Sequence, residues 1–223
     1  MNKSFHEVVT SRRSIRSFSS EPVDIDEILL LLEHAIYAPS PANMQDFKFV
    51  ISQNEDVLRA LPDMCMEQDW IAQGSAVIAV CSEVSRVEEW FGDRAKELAD
   101  QTTGGVVQTI LLAASANNIG ACWVAGFDQD PVKKLFNIPS SVSLQALVVL
   151  GHPYSKPDPR VEKDIYPLTF FDFYGNDLHD LTSVNHDYSV KLEKKLSSLQ
   201  SSAKKSSSQL QKQVDKLKKF FFK

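Results

Sequence analysis

The stretch SRRSIRSFSS, residues 11–20, places Arg12, Arg13 and Arg16 among five serines, ahead of the first long apolar helix. A guanidinium is a planar fork of donors that fits phosphate oxygens two at a time, and a short hydroxyl such as Ser14 adds a donor between forks. On an extended segment alternate residues point the same way. Arg12, Ser14 and Arg16 then share one face, and Arg13 takes the other. That face suits a dianionic phosphate with a second anionic or carbonyl-rich group beyond it. The same residues also suit a plain solvated charge run, and residue types alone leave both readings open.

Other chemistries have little support. Neither GxGxxG nor GxxxxGKS/T occurs, and GxSxG is absent. Cys65, Cys81 and Cys122 are widely spaced, without CxxC, and two of them lie in apolar runs where a thiol is a small core residue. This usage suits a reducing cytoplasm and gives neither a disulfide framework nor a zinc site. His6, His34, His152, His179 and His186 show no ligand spacing, so no metal is expected. The double arginine is followed by FSSEPVDIDE rather than an apolar stretch, which argues against an export signal. A net charge of −5 argues against a general nucleic-acid binder. With 223 residues, 43% of them hydrophobic, the chain can build one full-sized core.

The elements that must position the arginines follow from the apolar pattern. SFHEVVTSR begins as a short helix. Asp24, with Glu27 three residues on, opens a second helix whose apolar face is Ile25, Ile28, Leu29, Leu32, Ala35 and Ile36, and which stops by Pro39. PSPANMQ (39–45) reads as a loop and FKFVIS (47–52) as a strand. Residues 55–61 suggest a helix ended by Pro62. AVIAVCS (76–82) is a buried strand. EWFGDRAKELAD is amphipathic and breaks at Gly92. GGVVQTILLAASANN (104–118) is apolar almost all round, as in a central or interface helix. ACWVAGF (121–127) is a strand, DQDPVKKLFNIP a short helix and LQALVVLGHP (144–153) a buried strand. Helices alternating with buried strands predict a sheet with helices in three layers.

From residue 186 the composition changes, giving a main domain over 1–185 and a tail over 186–223. The tail holds ten lysines against Asp187, Glu193 and Asp215, a charge of +7 that leaves −12 for the rest. Leu192, Leu196, Leu199, Ala203, Ser206 and Leu210 form a weak heptad seam, and the chain ends KLKKFFFK. The readings are a solvated tail or loose helix, a partner-dependent coiled coil, or a membrane-surface foot.

SRRSIRSFSSEPV, APSPANMQDFKFVI, NNIGACWVAGFD and LQALVVLGHP, in that order over residues 4–168, resemble the nitroreductase family of flavin enzymes. The resemblance implies an α+β fold with a central mixed sheet flanked by helices, forming an intertwined homodimer with FMN at its interface. It implies an oxidoreductase that takes hydride from NADH or NADPH and delivers it through flavin N5 to a small acceptor such as a nitroaromatic or quinone. Alternatives are a specialised flavin enzyme of the same fold, or a non-catalytic interaction protein working through its tail. By the resemblance, Arg12 and Ser14 take the flavin phosphate, Arg13 lies along the ribityl region and Arg16 reaches the pyrimidine end of the ring. Pro39, Ser40, Asn43 and Gln45 contribute from the partner chain. Trp123, Val124, Ala125 and Gly126 pass flavin N5, with the backbone of Ala125 and Gly126 nearest. A late basic residue, Arg160 or Lys163, returns to the phosphate. The family often has Gln-Pro-Trp where this chain has Gln45-Asp46-Phe47, which predicts an altered acceptor pocket.

Overall fold

The computed structural model describes residues 3–155, 157 and 162–177, and the chain divides into two units, Met1–Arg160 and Val161–Lys223. The tail over 186–223 and Arg160 lie outside the described residues.

In the first unit the elements are α1 (Phe5–Ser11), α2 (Ile25–Ala35), β1 (Phe47–Ser52), α3 (Glu55–Met64), β2 (Ala76–Ser82), α4 (Val84–Phe91), α5 (Ala95–Ala116), β3 (Gly120–Val124), α6 (Gln129–Leu135) and β4 (Ser143–Gly151). Helix starts follow local chemistry. Ser4 and Glu7 form a reciprocal capping box on α1. The Glu27 carboxylate accepts from the Asp24 N–H at 3.0 Å, and Asn54 accepts from the Asp56 N–H at 2.8 Å.

The sheet order is β1-β2-β4-β3. Every pairing between these strands is antiparallel. The mixed character expected of the sheet is reduced, among the described residues, to one parallel bridge, Ser14 to Ala121, on the outer side of β3. All seven residues of β2 are buried, because helices cover both faces. On one face Ala76, Ile78, Val80, Ala146, Val148 and Leu150 pack with residues of α2 and α5. On the other, Val77, Ala79, Cys81, Leu144, Leu147 and Val149 pack with Leu58 and Leu61 of α3 and Val132 of α6. The register slips by one between Val80 and Cys81, so Val80 faces Ala146 while Cys81 faces Leu144. Side chains alternate along a strand, so this bulge at Gln145 moves Leu144 into the α3–α6 layer.

Three boundaries differ from the sequence reading. Pro62 lies inside the last turn of α3 rather than ending it; only the carbonyl four residues back loses its donor there. The apolar helix begins at Ala95, nine residues earlier than read, while EWFGDRAKELAD breaks at Gly92 as read, dividing between α4 and α5 across a 3-10 turn at Gly92–Arg94. β3 ends at Val124, so Ala125–Phe127 leave the ladder despite their apolar character. The apolarity of α5 is used within the chain: Val106, Val107, Ile110, Leu111, Ala113 and Ala114 are buried in its own core.

Cys65 and Cys81 are free and buried. Burial pushes each thiol up to about 11 from its ordinary 9. Below pH 9 both folded and unfolded chains hold these protons, and the stability they contribute is fully present. Between pH 9 and 11 the unfolded chain ionises first, and stability falls by about 1.4 kcal/mol per pH unit for each thiol. Urea midpoints should therefore drop between pH 8.5 and 10.5, and drop less steeply in Cys65→Ala or Cys81→Ala proteins.

Candidate functional site

After α1 the chain runs extended along the outer side of β3. Ile15 and Phe18 are buried and seat it. The Ile15 N–H donates to the Ala121 carbonyl at 3.0 Å. Farther on, Ser19 N–H donates to His152 O at 2.8 Å and Tyr154 N–H to Ser17 O at 3.0 Å. The arginines are thus mounted on a segment stitched to two strands.

Arg12, Ser14 and Arg16 take alternate positions along this segment, and the thiol of Cys122, next to Ala121 on β3, is buried. Burial pushes that thiol up, against the positive charge of Arg16, a hydrogen bond with Ser14 and the charge of Arg12. Arg13 goes the other way. Its guanidinium donates to Thr10 O and Arg12 O, both at 2.8 Å, and lines a cavity of about 610 Å³ with Lys3, Leu111, Ser115, Asn118 and Tyr154. The structure therefore separates Arg13 from the other three side chains.

Trp123 is 40% exposed on β3, between buried Cys122 and Val124. Ala125 is exposed beyond it, and Gly126 half-buried. A Cβ on Gly126 would come 2.8 Å from Met66 Sδ, so the missing side chain lets the two segments close on each other.

The 39–45 loop is held by its own polar groups. Gln45 N–H donates to Ser40 Oγ at 3.0 Å, and Gln45 Nε2 to Asn43 Oδ1 at 3.0 Å. Ala42, Asn43 and Gln45 have φ of 48°, 56° and 48°. Three left-handed residues without a glycine represent stored strain of the kind found at ligand sites. An Ala42→Gly protein should gain about 0.5–1 kcal/mol in denaturant stability, since alanine at positive φ is the misfit there. An unchanged midpoint would mean the loop relaxes without help.

The Asp46-Phe47 departure acts inside the chain. Asp46 is fully buried and accepts from Ser82 Oγ through Oδ2. Its Oδ1 has no partner, and its carbonyl accepts from the Glu83 N–H at 2.9 Å. Phe47 joins the α2–α5 core. The altered acceptor pocket expected from these two residues does not follow, because both side chains point into the chain.

This loop and the arginine segment sit at diagonal corners of the sheet. Phe47 pairs with Ser82 at one end of edge strand β1. Ala121, beside Ser14, pairs with Leu150, which pairs with Ala76 at the other end of β2. Three strand spacings of about 4.8 Å and six rises of about 3.4 Å separate them by about 25 Å. Lys163 is exposed in the second unit.

One wall was not anticipated from sequence. In the stretch Cys65–Trp70, Met66 and Glu67 both have φ of 56°. Met66 is exposed and lies against Gly126. The Trp70 ring lies 5.7 Å below the Arg16 guanidinium carbon and 6.5 Å from the Phe18 ring. The only available signal was a tryptophan within the polar string EQDW.

No helix among the described residues is long and apolar enough to cross a membrane. The family model described as Nitroreductase family matches residues 9–84 and 63–152. Among curated relatives, the FMN reductase (NADPH) of Bacillus subtilis is 24% identical over 173 residues, covering 70% of each chain. Nitroreductase A of Vibrio parahaemolyticus superposes with a TM-score of 0.71 at 19% identity, over 84% of both chains. The NADPH:FMN oxidoreductase of Vibrio harveyi, solved in complex with NAD+, gives 0.70 at 18% identity, over 83% of this chain and 85% of that one.

Proposed function

The chain belongs to the nitroreductase family, and on that footing we propose that it is an FMN-dependent oxidoreductase, working as a homodimer, that carries reducing equivalents from NAD(P)H to a small acceptor. The observation that carries this is the extended segment that sets Arg12, Ser14 and Arg16 at alternate positions along the outer side of β3, where Ser14 bridges to Ala121 and the Ile15 N–H donates to the Ala121 carbonyl. These residues fit a flavin mononucleotide: two fixed cations and a hydroxyl for its phosphate and ring carbonyls, and a flat approach at Gly126.

FMN, when bound, supplies a two-electron carrier between nicotinamide and acceptor. Arg12 and Ser14 would hold the phosphate. Arg16 would present a positive charge to the pyrimidine end of the ring, where reduction places negative charge, and so would favour the reduced state. The backbone of Ala125 and Gly126, with Trp123 before it on the chain, would border the reacting edge.

The second half of the site comes from the partner. Ser40, Asn43 and Gln45 precede Phe47, which lies about 25 Å from Ala121 in one chain, so a ligand touching both the loop and the arginine segment takes the loop from a second chain. Exposed Phe5 and Val9 on α1, with Leu29, Leu30, Ile36 and Tyr37 on and after α2, supply apolar surface for a second copy to cover.

The deciding measurement is the visible spectrum of the purified protein before and after anaerobic addition of NADH or NADPH. Flavin bands that bleach support the reading and identify the donor. Bands that persist keep the cofactor and point to another electron source. A protein colourless even after FMN is supplied overturns it.

A further inference from the structure

Arg16 is an exposed side chain on a long flexible stem, and a stem of that kind scatters its charge over several rotamers unless something holds it. The structure supplies a holder. The Trp70 ring faces the guanidinium at 5.7 Å, within the range of a cation–π contact. Trp70 is itself fixed. The next residue, Ile71, is fully buried and anchors the backbone of this short turn. The indole also meets Phe18 at 6.5 Å, tilted by 43°. Phe18 is buried, bridges to Pro153 and belongs to the same extended segment as Arg16. The segment thus clasps Trp70 with two side chains, two residues apart. The cation thus rests against an aromatic plate on the segment that runs beside β3.

We propose that Trp70 is a positioning residue for Arg16: it fixes the guanidinium beside β3 and so sets how strongly the site prefers reduced over oxidised flavin. This rests on the flavin reading above. It assigns a role in that site to the Cys65–Trp70 turn, which carries no cation of its own.

The test is a thermodynamic cycle on the full chain. Dissociation constants of oxidised and of reduced FMN are measured for wild type, Trp70→Leu, Trp70→Phe, Arg16→Ala and the Trp70→Leu/Arg16→Ala double variant. Trp70→Leu should weaken reduced FMN about fivefold more than oxidised FMN, as loss of an exposed cation–π contact predicts. Trp70→Phe, which keeps a ring face, should recover most of the difference. In the Arg16→Ala background Trp70→Leu should add nothing, because the two residues act as one unit.

Equal weakening of both oxidation states, or the same effect with and without Arg16, would give Trp70 a structural role and overturn the proposal. Tighter binding of reduced FMN by Trp70→Leu would also overturn it, since the indole would then be holding the charge away. If wild type binds no FMN, it is the flavin reading that has failed. The clasp is then judged on the apoprotein: the Trp70 indole N–H resonance, assigned by its loss in Trp70→Phe, must move in Arg16→Ala, and an unmoved resonance overturns it.

Discussion

An Arg12→Ala protein is expected to fold normally and to bind oxidised FMN about 30- to 100-fold more weakly than wild type. The C-terminal cap of α1 should survive the change, because the Arg12 N–H donates to Val8 O at 3.0 Å, which alanine does equally well. What is lost is a fork of charge-assisted hydrogen bonds to a phosphate, about 2–3 kcal/mol in a partly buried setting. Fluorescence titration with FMN measures it directly. The loss should be felt about equally by oxidised and reduced FMN, because the phosphate does not change on reduction. An Arg16→Ala protein should show the opposite pattern, with retention little changed and reduced FMN selectively weakened. If the two variants cannot be told apart by these constants, the division of labour along the segment is wrong.

Gly120→Ala should be the most damaging small substitution in the first unit. A Cβ there would sit 2.8 Å from the Gly151 carbonyl and 3.0 Å from a methyl of Ile15. The first obstacle is backbone of the paired strand, which cannot rotate away, and the second is the residue that seats the arginine segment. Overpacking of this kind costs about 1–3 kcal/mol, and separating β3 from β4 or Ile15 from Ala121 puts it at the upper end. About 3 kcal/mol corresponds to a fall in Tm of roughly 6–12 °C for a domain of this size. FMN affinity should fall with it, since Ile15 lies between Ser14 and Arg16. A variant that loses stability while keeping full FMN affinity would show the segment to be seated by Phe18 alone.

The sequence was most legible where burial is two-sided. β2 lies where the apolar run AVIAVCS places it, because a strand covered on both faces tolerates little else, whereas β1, half-buried at the edge, was marked by the β-branched and aromatic residues of FKFVIS. It was least legible where apolar residues leave a ladder without a polar signal. Ala125–Phe127 look like more of β3, yet the chain turns away there to bring Gly126 against Met66. The alternation of Arg12, Ser14 and Arg16 was readable because an extended segment has only two sides. The Met66–Glu67 turn was not, since neither residue type favours positive φ and the conformation is imposed from outside by neighbouring packing. Asp46 misled for a related reason. Read as a change on the acceptor side, its carboxylate turns inward to Ser82 at the end of β2, a partner that lies 36 residues away in sequence.

β3 is an edge strand, and an uncovered edge is a template for unwanted strand pairing. The extended segment after α1 occupies part of that edge through Ser14 and Ile15. One stretch of chain therefore does two jobs that fail together. A protease cut within residues 12–16 would release the arginines proposed to hold the flavin and open the sheet in the same event. The product would be a sticky sheet prone to self-association, rather than a quiescent apoprotein awaiting its cofactor.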